Sequence, residues 1–523
     1  MKDIAGRWGS LYPRSAPHRE KTPTVTLPER FNMARYCLDG HAAGKTGLIL
    51  AGAHDDEVWR FGALKDAVLR VANGLLAAGL RPGDRLMIRM DNDVAYALAY
   101  FGAIAAGIVA LPSSSQLTAA EAEFLLADCG ARAVAVGAGM ADLKVPDGVT
   151  VIPAQAVADW ARNGALGDFA DTAADDPAFL VYTSGTTGRP KGVLHGQRSA
   201  FGRRPMYQGW YGISGDDRVL HAGAFNWTYT LGVGLTDPWA NGATACLYNG
   251  PRDAAVWPRL IERFKATLFA TVPGLYRQIL KYGEIGGHDL ASLRHGLTAG
   301  ESLPAVILEQ WRETVGTELY EALGMSEIST YVSQCPPGPA RPHSPGRPQP
   351  GRRVAILDPE TWVPLPAGEI GLLAVHRSDP GLMLGYWQRP LEEAEVLRGD
   401  WFAGGDLAHL DEDGYLWFHG RNNDLMNAGG YRVSPLEVEA ALASHPAIAD
   451  VAVAERQVSE TISIICAYVV PRDGAAIDKA AVLAHAGGRL AAYKQPKEVI
   501  VVETLPRTAN GKVMRRALAG LAS

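Results

Sequence analysis

Residues 183–192 read TSGTTGRPKG, a segment that combines glycines, hydroxyl side chains and two cations. It follows the strand-like run Phe179-Leu180-Val181-Tyr182, which predicts a loop at the end of a strand. Glycines let such a loop turn several backbone N–H groups toward one point, and oriented amides with fixed positive charge bind a polyphosphate. The residues predicted to bind the phosphates are Thr183, Ser184, Gly185, Thr186, Thr187, Gly188 and Lys191.

This segment differs from the P-loop of nucleoside triphosphatases, because Lys191 is followed by Gly192 and not by Ser or Thr. A cluster of Gly, Ser and Thr is also typical of a surface linker. For the segment taken by itself, that alternative stays open.

The segment closely resembles the phosphate loop of the adenylate-forming superfamily, which comprises acyl-CoA synthetases, luciferases and the adenylation domains of peptide synthetases. The resemblance spans nearly the whole chain, because further segments similar to family motifs follow in the family's order. They are AGESLP at 299–304, GMSE at 324–327, Gly405-Asp406, Gly420-Arg421 and PRTANGK at 506–512. Each of these segments is weak evidence alone, and their joint order is strong evidence.

The resemblance implies an ATP-dependent carboxylic acid:CoA ligase, most similar to benzoate-type and medium-chain acyl-CoA ligases. In such an enzyme the carboxylate attacks the α-phosphorus of ATP and expels pyrophosphate. Coenzyme A then displaces AMP from the acyl-adenylate. ATP, Mg²⁺ and coenzyme A are therefore the implied cofactors.

The resemblance also implies roles for single residues. Lys512 is the implied catalytic lysine at the α-phosphate, where fixed positive charge stabilises a developing oxyanion. Thr186 and Lys191 are the implied catalytic residues of the phosphate loop. Glu327, with Thr183, is implied to hold Mg²⁺, since a hard cation prefers oxygen ligands.

Other residues are implied to bind the nucleotide or the thiol. Gly430 is implied to let the pantetheine of coenzyme A pass close to the backbone. The remaining nucleotide-binding residues are Gly300, Glu301, Glu321, Leu323, Ser326, Asp406 and Arg421. Each charged candidate also has a plain structural interpretation: a solvated turn lysine for Lys512, a helix-capping residue for Glu327, a turn acid for Asp406 and a surface cation for Arg421.

Four positions depart from the family pattern. Leu323 stands where the family has a tyrosine that stacks on adenine, and Gly404 stands where Thr or Ser is usual. Asn423 replaces the usual hinge aspartate. The histidine often found in the acyl-pocket motif is absent from residues 224–229, AFNWTY.

That last segment bears on the identity of the acid. By pattern it aligns with the acyl-pocket segment of benzoate-type and medium-chain ligases, and neither it nor 324–327 contains Lys or Arg. We therefore expect an aromatic, alicyclic or short- to medium-chain monocarboxylate. The aromatic residues of this region would serve equally well as core residues, and that alternative stays open. The predicted acid-binding residues are Ala224, Trp227, Tyr229, Gly324 and Thr330.

The elements that must position these residues follow an α/β pattern. Helical spacing and strand-like runs alternate through the first third of the chain, which is typical of parallel layered sheets. Residues 94–112 are uncharged, and we interpret them as a helix that turns into a buried strand rather than as a membrane span. A strand is predicted at 414–418 within a β-rich region.

The fold class expected is therefore α/β, with a large N-terminal domain of layered, mostly parallel sheets plus a β-rich subdomain, and a small mobile α+β C-terminal domain. The predicted domains are residues 1–421 and 422–523. A chain of 523 residues is long enough for several domain-sized cores.

Composition limits the function classes. A formal charge of −6 argues against nucleic-acid binding. The five cysteines have no paired spacing, and the N-terminus lacks the apolar core of a signal peptide, so we expect a cytoplasmic protein without a membrane span. We expect a monomer or a homodimer.

Three alternative functions remain open from the sequence. A stand-alone adenylation enzyme would load a carrier protein instead of coenzyme A. A luciferase-like oxidase shares the first step of the reaction. A catalytically silent nucleotide-binding homologue would be compatible with the four departures, although Lys512 and Glu327 are both retained.

Overall fold

The computed structural model describes residues 26–140, 143–183, 190–251, 253–422, 426–428, 431–458, 463–507 and 513–522. The strands up to residue 421 are β1 Thr46–Leu50, β2 Glu57–Arg60, β3 Arg85–Arg89, β4 Val109–Ser113, β5 Ala133–Val136, β6 Thr150–Pro153, β7 Pro177–Thr183, β8 Lys191–Gly196, β9 Arg218–His221, β10 Thr244–Leu247, β11 Leu268–Thr271, β12 His295–Ala299, β13 Glu318–Met325, β14 Ser329–Ser333, β15 Arg347–Pro348, β16 Val354–Leu357, β17 Gly371–His376, β18 Gly385–Tyr386, β19 Leu397–Arg398, β20 Trp401–Leu410 and β21 Leu416–Arg421.

The helices of the same part of the chain are α1 Met33–Leu38, α2 Phe61–Ala77, α3 Val94–Ala105, α4 Ala119–Asp128, α5 Ala154–Asn163, α6 Ser199–Gly202, α7 Arg204–Met206, α8 Thr228–Leu231, α9 Asp237–Ala240, α10 Val256–Phe264, α11 Pro273–Tyr282, α12 Ala305–Val315 and α13 Pro390–Val396. After residue 421 the elements are β22 Met426–Ala428, β23 Tyr431–Val433, α14 Pro435–Ala443, β24 Ile448–Gln457, β25 Ser463–Pro471, α15 Lys479–Gly487, β26 Glu498–Val501 and α16 Arg515–Leu518.

Two mixed sheets make up most of the large N-terminal part, and both have a parallel centre. The nine-stranded sheet runs β15-β14-β13-β12-β11-β9-β10-β1-β2, and its strands from β13 to β1 are parallel. The seven-stranded sheet runs β18-β8-β7-β4-β3-β5-β6 and is parallel from β7 to β6. The predicted α/β class with layered, mostly parallel sheets is confirmed.

Helix α3 explains the uncharged stretch at 94–112. Asp93 caps its first turn by accepting a hydrogen bond of 2.8 Å from the Tyr96 N–H, and the helix packs against α2 and α5 inside the largest apolar core. The chain then turns at Gly107 into β4, whose residues are all buried. None of the helices in the described ranges is long and apolar enough to cross a membrane.

The β-rich subdomain consists of the five-stranded sheet of β16, β17, β19, β20 and β21. Its last hairpin differs from the prediction, because β21 begins at Leu416 and not at Gly414. The Asp411 carboxylate accepts hydrogen bonds from the backbone N–H groups of Asp413 and Tyr415, at 3.1 and 2.8 Å. This side-chain-stabilised turn keeps residues 411–415 out of the strand.

The C-terminal elements form separate small sheets. Strands β24, β25 and β26 form a three-stranded sheet, and α14 and α15 pack on the apolar cluster beneath it. The change of sheet system falls between Arg421 and Met426, beside the predicted domain boundary. That boundary itself, and the mobility of the smaller domain, stay predictions.

One fully buried ion pair lies between the short helices of the large part. Arg203 donates from Nε and Nη2 to the two carboxylate oxygens of Asp237, at 2.7 and 2.6 Å, and Tyr211 donates to the same carboxylate at 2.6 Å. The side chains of Arg203 and Asp237 are 7% and 0% exposed. Burial favours loss of the Arg203 charge, but Asp237 more than offsets this effect and raises the net pKa of the guanidinium.

The substitution Asp237→Ala should lower the free energy of unfolding by about 3–5 kcal/mol, because it leaves the Arg203 charge buried without its counter-ion. Urea unfolding followed by tryptophan fluorescence measures the change. The matched control is Asp171→Ala, which removes an exposed pair with Arg30 and should have no measurable effect. Equal stability of the two variants would contradict the importance assigned to the buried pair.

Candidate functional site

Several of the predicted site residues lie at or just beyond the carboxyl ends of β7 and β13, and others lie on β20 and β21. Thr183 ends β7 and pairs in antiparallel register with Lys191 at the start of β8. These two residues frame the phosphate-loop segment, whose predicted contacts Ser184, Gly185, Thr186, Thr187 and Gly188 lie outside the described residues. The described flanks therefore form a hairpin that presents the loop at the end of a parallel strand.

Lys191 and Glu327 both contact Tyr386. The Lys191 ammonium lies 3.9 Å from the centroid of the Tyr386 ring, a cation–π contact. The Tyr386 hydroxyl donates a hydrogen bond of 2.6 Å to Glu327 Oε1. Burial first, and then the charge of Glu327, raise the pKa of Tyr386, so its hydroxyl stays protonated and acts as a donor. The sequence prediction missed Tyr386, although it lies in a Gly-Tyr-Trp run just before α13.

The backbone around Glu327 is held by β8 and by the segment that precedes β18. The Glu327 carbonyl accepts a hydrogen bond from the Met383 N–H at 2.7 Å, and the preceding Ser326 carbonyl lies 2.8 Å from His195 Nε2. Burial lowers the pKa of His195 to about 4, so the ring is neutral at pH 7 and donates from Nε2. The ring also stacks on Phe179 at 4.6 Å. Ser326 is thus tied through its backbone, and His195 connects the two sheets at the site.

The donor chemistry at Glu327 is compatible with Mg²⁺. The carboxylate belongs to a residue that is 9% exposed, and one of its oxygens is oriented by Tyr386. Magnesium is usually held by one or two carboxylates, with substrate phosphates and water as the other ligands. A single oriented glutamate beside a phosphate-loop hairpin fits that pattern.

Asp406 and Arg421 form the second charged group of the site. They are directly opposite each other on β20 and β21, with Arg421 Nε 3.4 Å from Asp406 Oδ1. The Asp406 side chain is 7% exposed and that of Arg421 is 47% exposed. The buried acid is therefore held in place by an arginine that reaches solvent.

The buried Tyr331 shows that the two charged groups are neighbours. Burial raises its pKa most, and the charges of Asp406 and Glu327 raise it further, while Arg352 and Arg421 act in the opposite direction. Tyr331 thus lies within electrostatic reach of both predicted carboxylates. The β-rich subdomain and the nine-stranded sheet meet at this point.

Residues 299–304, which include the predicted nucleotide-binding residues Gly300 and Glu301, contain a left-handed turn. Gly300 follows β12 with φ of +98°, and a Cβ there would lie 3.1 Å from Cη2 of Trp227. Glu301 accepts a hydrogen bond of 3.3 Å from the Gly274 N–H. Glu321 is buried on β13. Burial raises its pKa to about 8, and a hydrogen bond from the Leu303 backbone opposes part of this shift. Glu321 is therefore largely protonated at pH 7.

The predicted acid-binding residues differ in burial. A Cβ at Gly324 would lie 2.3 Å from the Ser329 carbonyl oxygen, so the β13–β14 hairpin has no room for a side chain at position 324. Tyr229 is 4% exposed and donates to the Thr271 carbonyl at 3.3 Å, and the Thr330 hydroxyl is buried against the Met206 sulfur at 2.7 Å. Ala224 and Trp227 are half-buried.

Two of the departures from the family pattern have a packing explanation. A Cβ on Gly404 would lie 2.7 Å from the Met325 sulfur, so the methionine fills the space that a larger residue at 404 would occupy. Leu323 packs on the apolar cluster shared with the β-rich subdomain. Asn423, like Gly430 and Lys512, lies outside the described residues.

Comparison with known proteins decides the family. The family model described as AMP-binding enzyme matches residues 39–387, and the model for the AMP-binding enzyme C-terminal domain matches residues 437–512. The chain belongs to the AMP-binding enzyme family. The benzoate–CoA ligase of Thauera aromatica is 30% identical to this AMP-binding enzyme, and the alignment covers 96% of the chain and 98% of the relative.

Two further comparisons cover nearly all of both chains. An uncharacterized acyl–CoA ligase of Bacillus subtilis is 31% identical, with 95% of this chain and 97% of the relative aligned. The crystal structure of an anthranilate CoA ligase in complex with anthranoyl-AMP superposes with a TM-score of 0.85 at 29% identity, over 95% of this chain and 98% of the other. This AMP-binding enzyme thus shares the fold of adenylate-forming CoA ligases.

Proposed function

We propose that this AMP-binding enzyme is an ATP-dependent carboxylic acid:CoA ligase that works through an acyl-adenylate. The observation that carries the proposal is the grouping of Lys191, Tyr386 and Glu327 beside Asp406 and Arg421. That grouping offers cations for phosphates, an oriented carboxylate for a metal and a buried acid for the ribose. The similarity to CoA ligases along the whole chain supports the same assignment.

In the first half-reaction, a carboxylate oxygen of the acid forms a bond to the α-phosphorus of ATP while the bond to pyrophosphate breaks. Lys191 and the phosphate loop (Thr183, Ser184, Gly185, Thr186, Thr187 and Gly188) bind the β- and γ-phosphates. Lys512 stabilises the charge at the α-phosphate. Asp406, with its position set by Arg421, accepts hydrogen bonds from the ribose hydroxyls.

Glu327 and Thr183 would hold Mg²⁺, which when bound offsets the negative charge of the phosphates. The adenine base lies along Gly300, Glu301, Glu321 and Leu323, and the Ser326 backbone is held beside it.

In the second half-reaction the thiol sulfur of coenzyme A bonds to the acyl carbon and AMP leaves. Gly430 gives the pantetheine room to reach that carbon.

The acid is an aromatic, alicyclic or short- to medium-chain monocarboxylate, bound against Ala224, Trp227, Tyr229, Gly324 and Thr330. Relatives that are 30% and 31% identical to this chain are ligases of benzoate and of 3-hydroxybenzoate. The anthranilate CoA ligase structure contains anthranoyl-AMP. Trp227 and Tyr229 stand edge to face at 5.3 Å, an aromatic wall suited to a flat ring. The cytoplasmic location and the monomer or homodimer state stay predictions.

A panel of acids tests the function directly. The protein is mixed with ATP, Mg²⁺ and coenzyme A, and both pyrophosphate and thioester are measured for acetate, medium-chain acids, cyclohexanecarboxylate, benzoate and substituted benzoates. Acid-dependent pyrophosphate release with thioester formation is the expected result. Pyrophosphate without thioester would indicate a carrier-protein acceptor, and no turnover with any acid would favour the silent homologue.

The substitution Lys512→Ala should lower the rate of acid-dependent pyrophosphate release by a factor of 100 or more, roughly the effect of removing one preorganised charge. It should spare thioester formation from supplied acyl-adenylate, because that step no longer involves the α-phosphate bond to pyrophosphate. Gly430→Leu is the complementary variant, in which the thioester step should fail while pyrophosphate release persists. Equal loss of both half-reactions in Lys512→Ala would refute its assigned role.

The substitution Tyr386→Phe keeps the ring that contacts Lys191 and removes the hydroxyl that orients Glu327. We expect the Mg²⁺ concentration for half-maximal pyrophosphate release to rise about tenfold, as is usual when a partner of a metal ligand is lost. The KM for the acid should change little. Tyr282→Phe, at an exposed tyrosine, is the matched control. An unaltered Mg²⁺ dependence would show that the Tyr386–Glu327 contact is only structural.

A further inference from the structure

His221 is a buried histidine that no part of the proposed mechanism uses. It is the last residue of β9, at the carboxyl edge of the nine-stranded sheet, and is level with Ala270 of β11. It is 4% exposed. Neither of its ring nitrogens makes a hydrogen bond of good geometry with the described part of the chain.

Other buried histidines of the structure do have partners. His195 Nε2 lies 2.8 Å from the Ser326 carbonyl oxygen, and His295 Nε2 lies 2.8 Å from that of Tyr211. A buried polar group that lacks a partner destabilises a folded protein, so an imidazole in this position needs a compensating role. The contrast singles out His221.

The surroundings of His221 connect it to the predicted acyl pocket. Its ring stands edge to face with Tyr229 at 5.4 Å, and Tyr229 stands edge to face with Trp227 at 5.3 Å. Trp227 in turn lies against Gly300, one of the predicted nucleotide-binding residues. The three rings form a row that leads from the nucleotide side of the site to His221.

The loop that follows His221 is held rigidly. The Asn92 side chain donates to the Gly223 carbonyl at 2.6 Å and accepts from the Phe225 N–H at 3.0 Å. A Cβ at Gly223 would lie 2.5 Å from Cε1 of His221, so the backbone packs directly on the imidazole. The ring therefore has little freedom to turn away toward another partner.

The protonation state defines what the imidazole can recognise. Burial lowers the pKa of His221 to about 3, and a hydrogen bond of poor geometry with the Gly223 backbone opposes part of the shift. The ring is therefore neutral at pH 7 and presents one N–H donor and one nitrogen acceptor. A hydroxyl or an amino group complements this pair, whereas a second carboxylate would be buried beside a neutral ring with no positive charge to compensate its own.

From this placement we infer that His221 is a specificity-determining residue, which hydrogen-bonds a neutral hydroxyl or amino substituent of the acid, remote from the reacting carboxylate. The inference rests on the proposed ligase function. It narrows the substrate class to monocarboxylates that carry such a substituent on the ring or chain. A bound acid without the substituent leaves the imidazole unpaired, and such unpaired groups are what make a polar site selective.

Matched pairs of acids test the inference. Each pair has a hydroxyl or a methyl group at the same ring position, such as 3-hydroxybenzoate and 3-methylbenzoate, with the 2- and 4-substituted pairs alongside. The measured quantity is kcat/KM for thioester formation. The wild-type protein should prefer the hydroxy acid of at least one pair by about tenfold or more, the usual effect of leaving a buried hydrogen-bonding group unpaired.

Three variants complete the design. His221→Leu should abolish the preference by lowering kcat/KM for the hydroxy acid while sparing the methyl acid. His221→Gln, which keeps a donor and an acceptor, should retain part of it. His288→Leu, at a histidine paired with Glu262 on another surface, should leave the preference unchanged. Without substrate, His221→Leu should melt at the same temperature as the wild-type protein or higher, since it removes an unpaired polar group.

Two results would overturn the inference while leaving the ligase function intact. One is turnover of ring acids with no hydroxyl preference in any pair. The other is an equal loss of kcat/KM for both members of a pair in His221→Leu, with a lower melting temperature, which would show a structural role through an internal water. Failure of every acid to support pyrophosphate release would instead refute the ligase function itself.

Discussion

The buried pairing of Arg203 with Asp237 is the interaction on which the centre of the molecule depends. Besides the carboxylate, the guanidinium donates to the Ser329 hydroxyl at 2.5 Å and to the Thr228 carbonyl at 3.4 Å. Thr228 begins the helix that carries Tyr229, and Ser329 begins β14, so a single charged group connects both segments assigned to the acid. A Cβ on Gly232 would overlap the Arg203 guanidinium, which places this charge directly against helical backbone. A charge in such a dry position is tolerated because its hydrogen-bonding capacity is satisfied.

A second buried arginine extends the same principle to the β-rich subdomain. Arg352 donates from Nη1 to Asp379 at 2.8 Å, and from Nη2 to the carbonyls of Gly202 and Thr330 at 2.9 and 3.3 Å. These hydrogen bonds connect the segment before β16 of the β-rich subdomain to the β13–β14 hairpin, which contains Glu327. Tyr386 completes the assembly by contacting Lys191 through its ring face and Glu327 through its hydroxyl. Each contact uses a different part of the tyrosine, so one side chain holds both charged groups.

The departures from the family pattern are accommodated by local packing. Met325 occupies the space next to Gly404, and Leu323 packs against an apolar cluster. The predicted acyl-pocket segment lacks the usual histidine, while a different histidine, His221, ends the preceding strand without a hydrogen bond of good geometry among the described residues.

Much of the architecture was determined by local sequence. The alternation of helical and strand periods predicted the layered sheets, and the uncharged helix at 94–105 with its following strand was correctly interpreted as core. The turn at 411–415 was missed because its stability comes from the Asp411 side chain and not from periodicity. The candidate residues Lys191, Glu327, Asp406 and Arg421 could be named from motif order, since each motif brings its chemistry within a few residues.

Only the tertiary structure decided how those residues meet. Tyr386 lies far along the chain from Lys191 and Glu327, and nothing in the sequence around it marks it as their common partner. Whether an aromatic residue such as Tyr229 or Trp227 lines the pocket or fills the core was likewise open, because burial depends on distant segments packed against it. His221 is the clearest case: its residue type is in the sequence, but its lack of a partner follows from the surrounding strands and the loop held by Asn92. Local patterns specify which groups a chain carries, while the distances and burial that give those groups a function arise from contacts between remote segments.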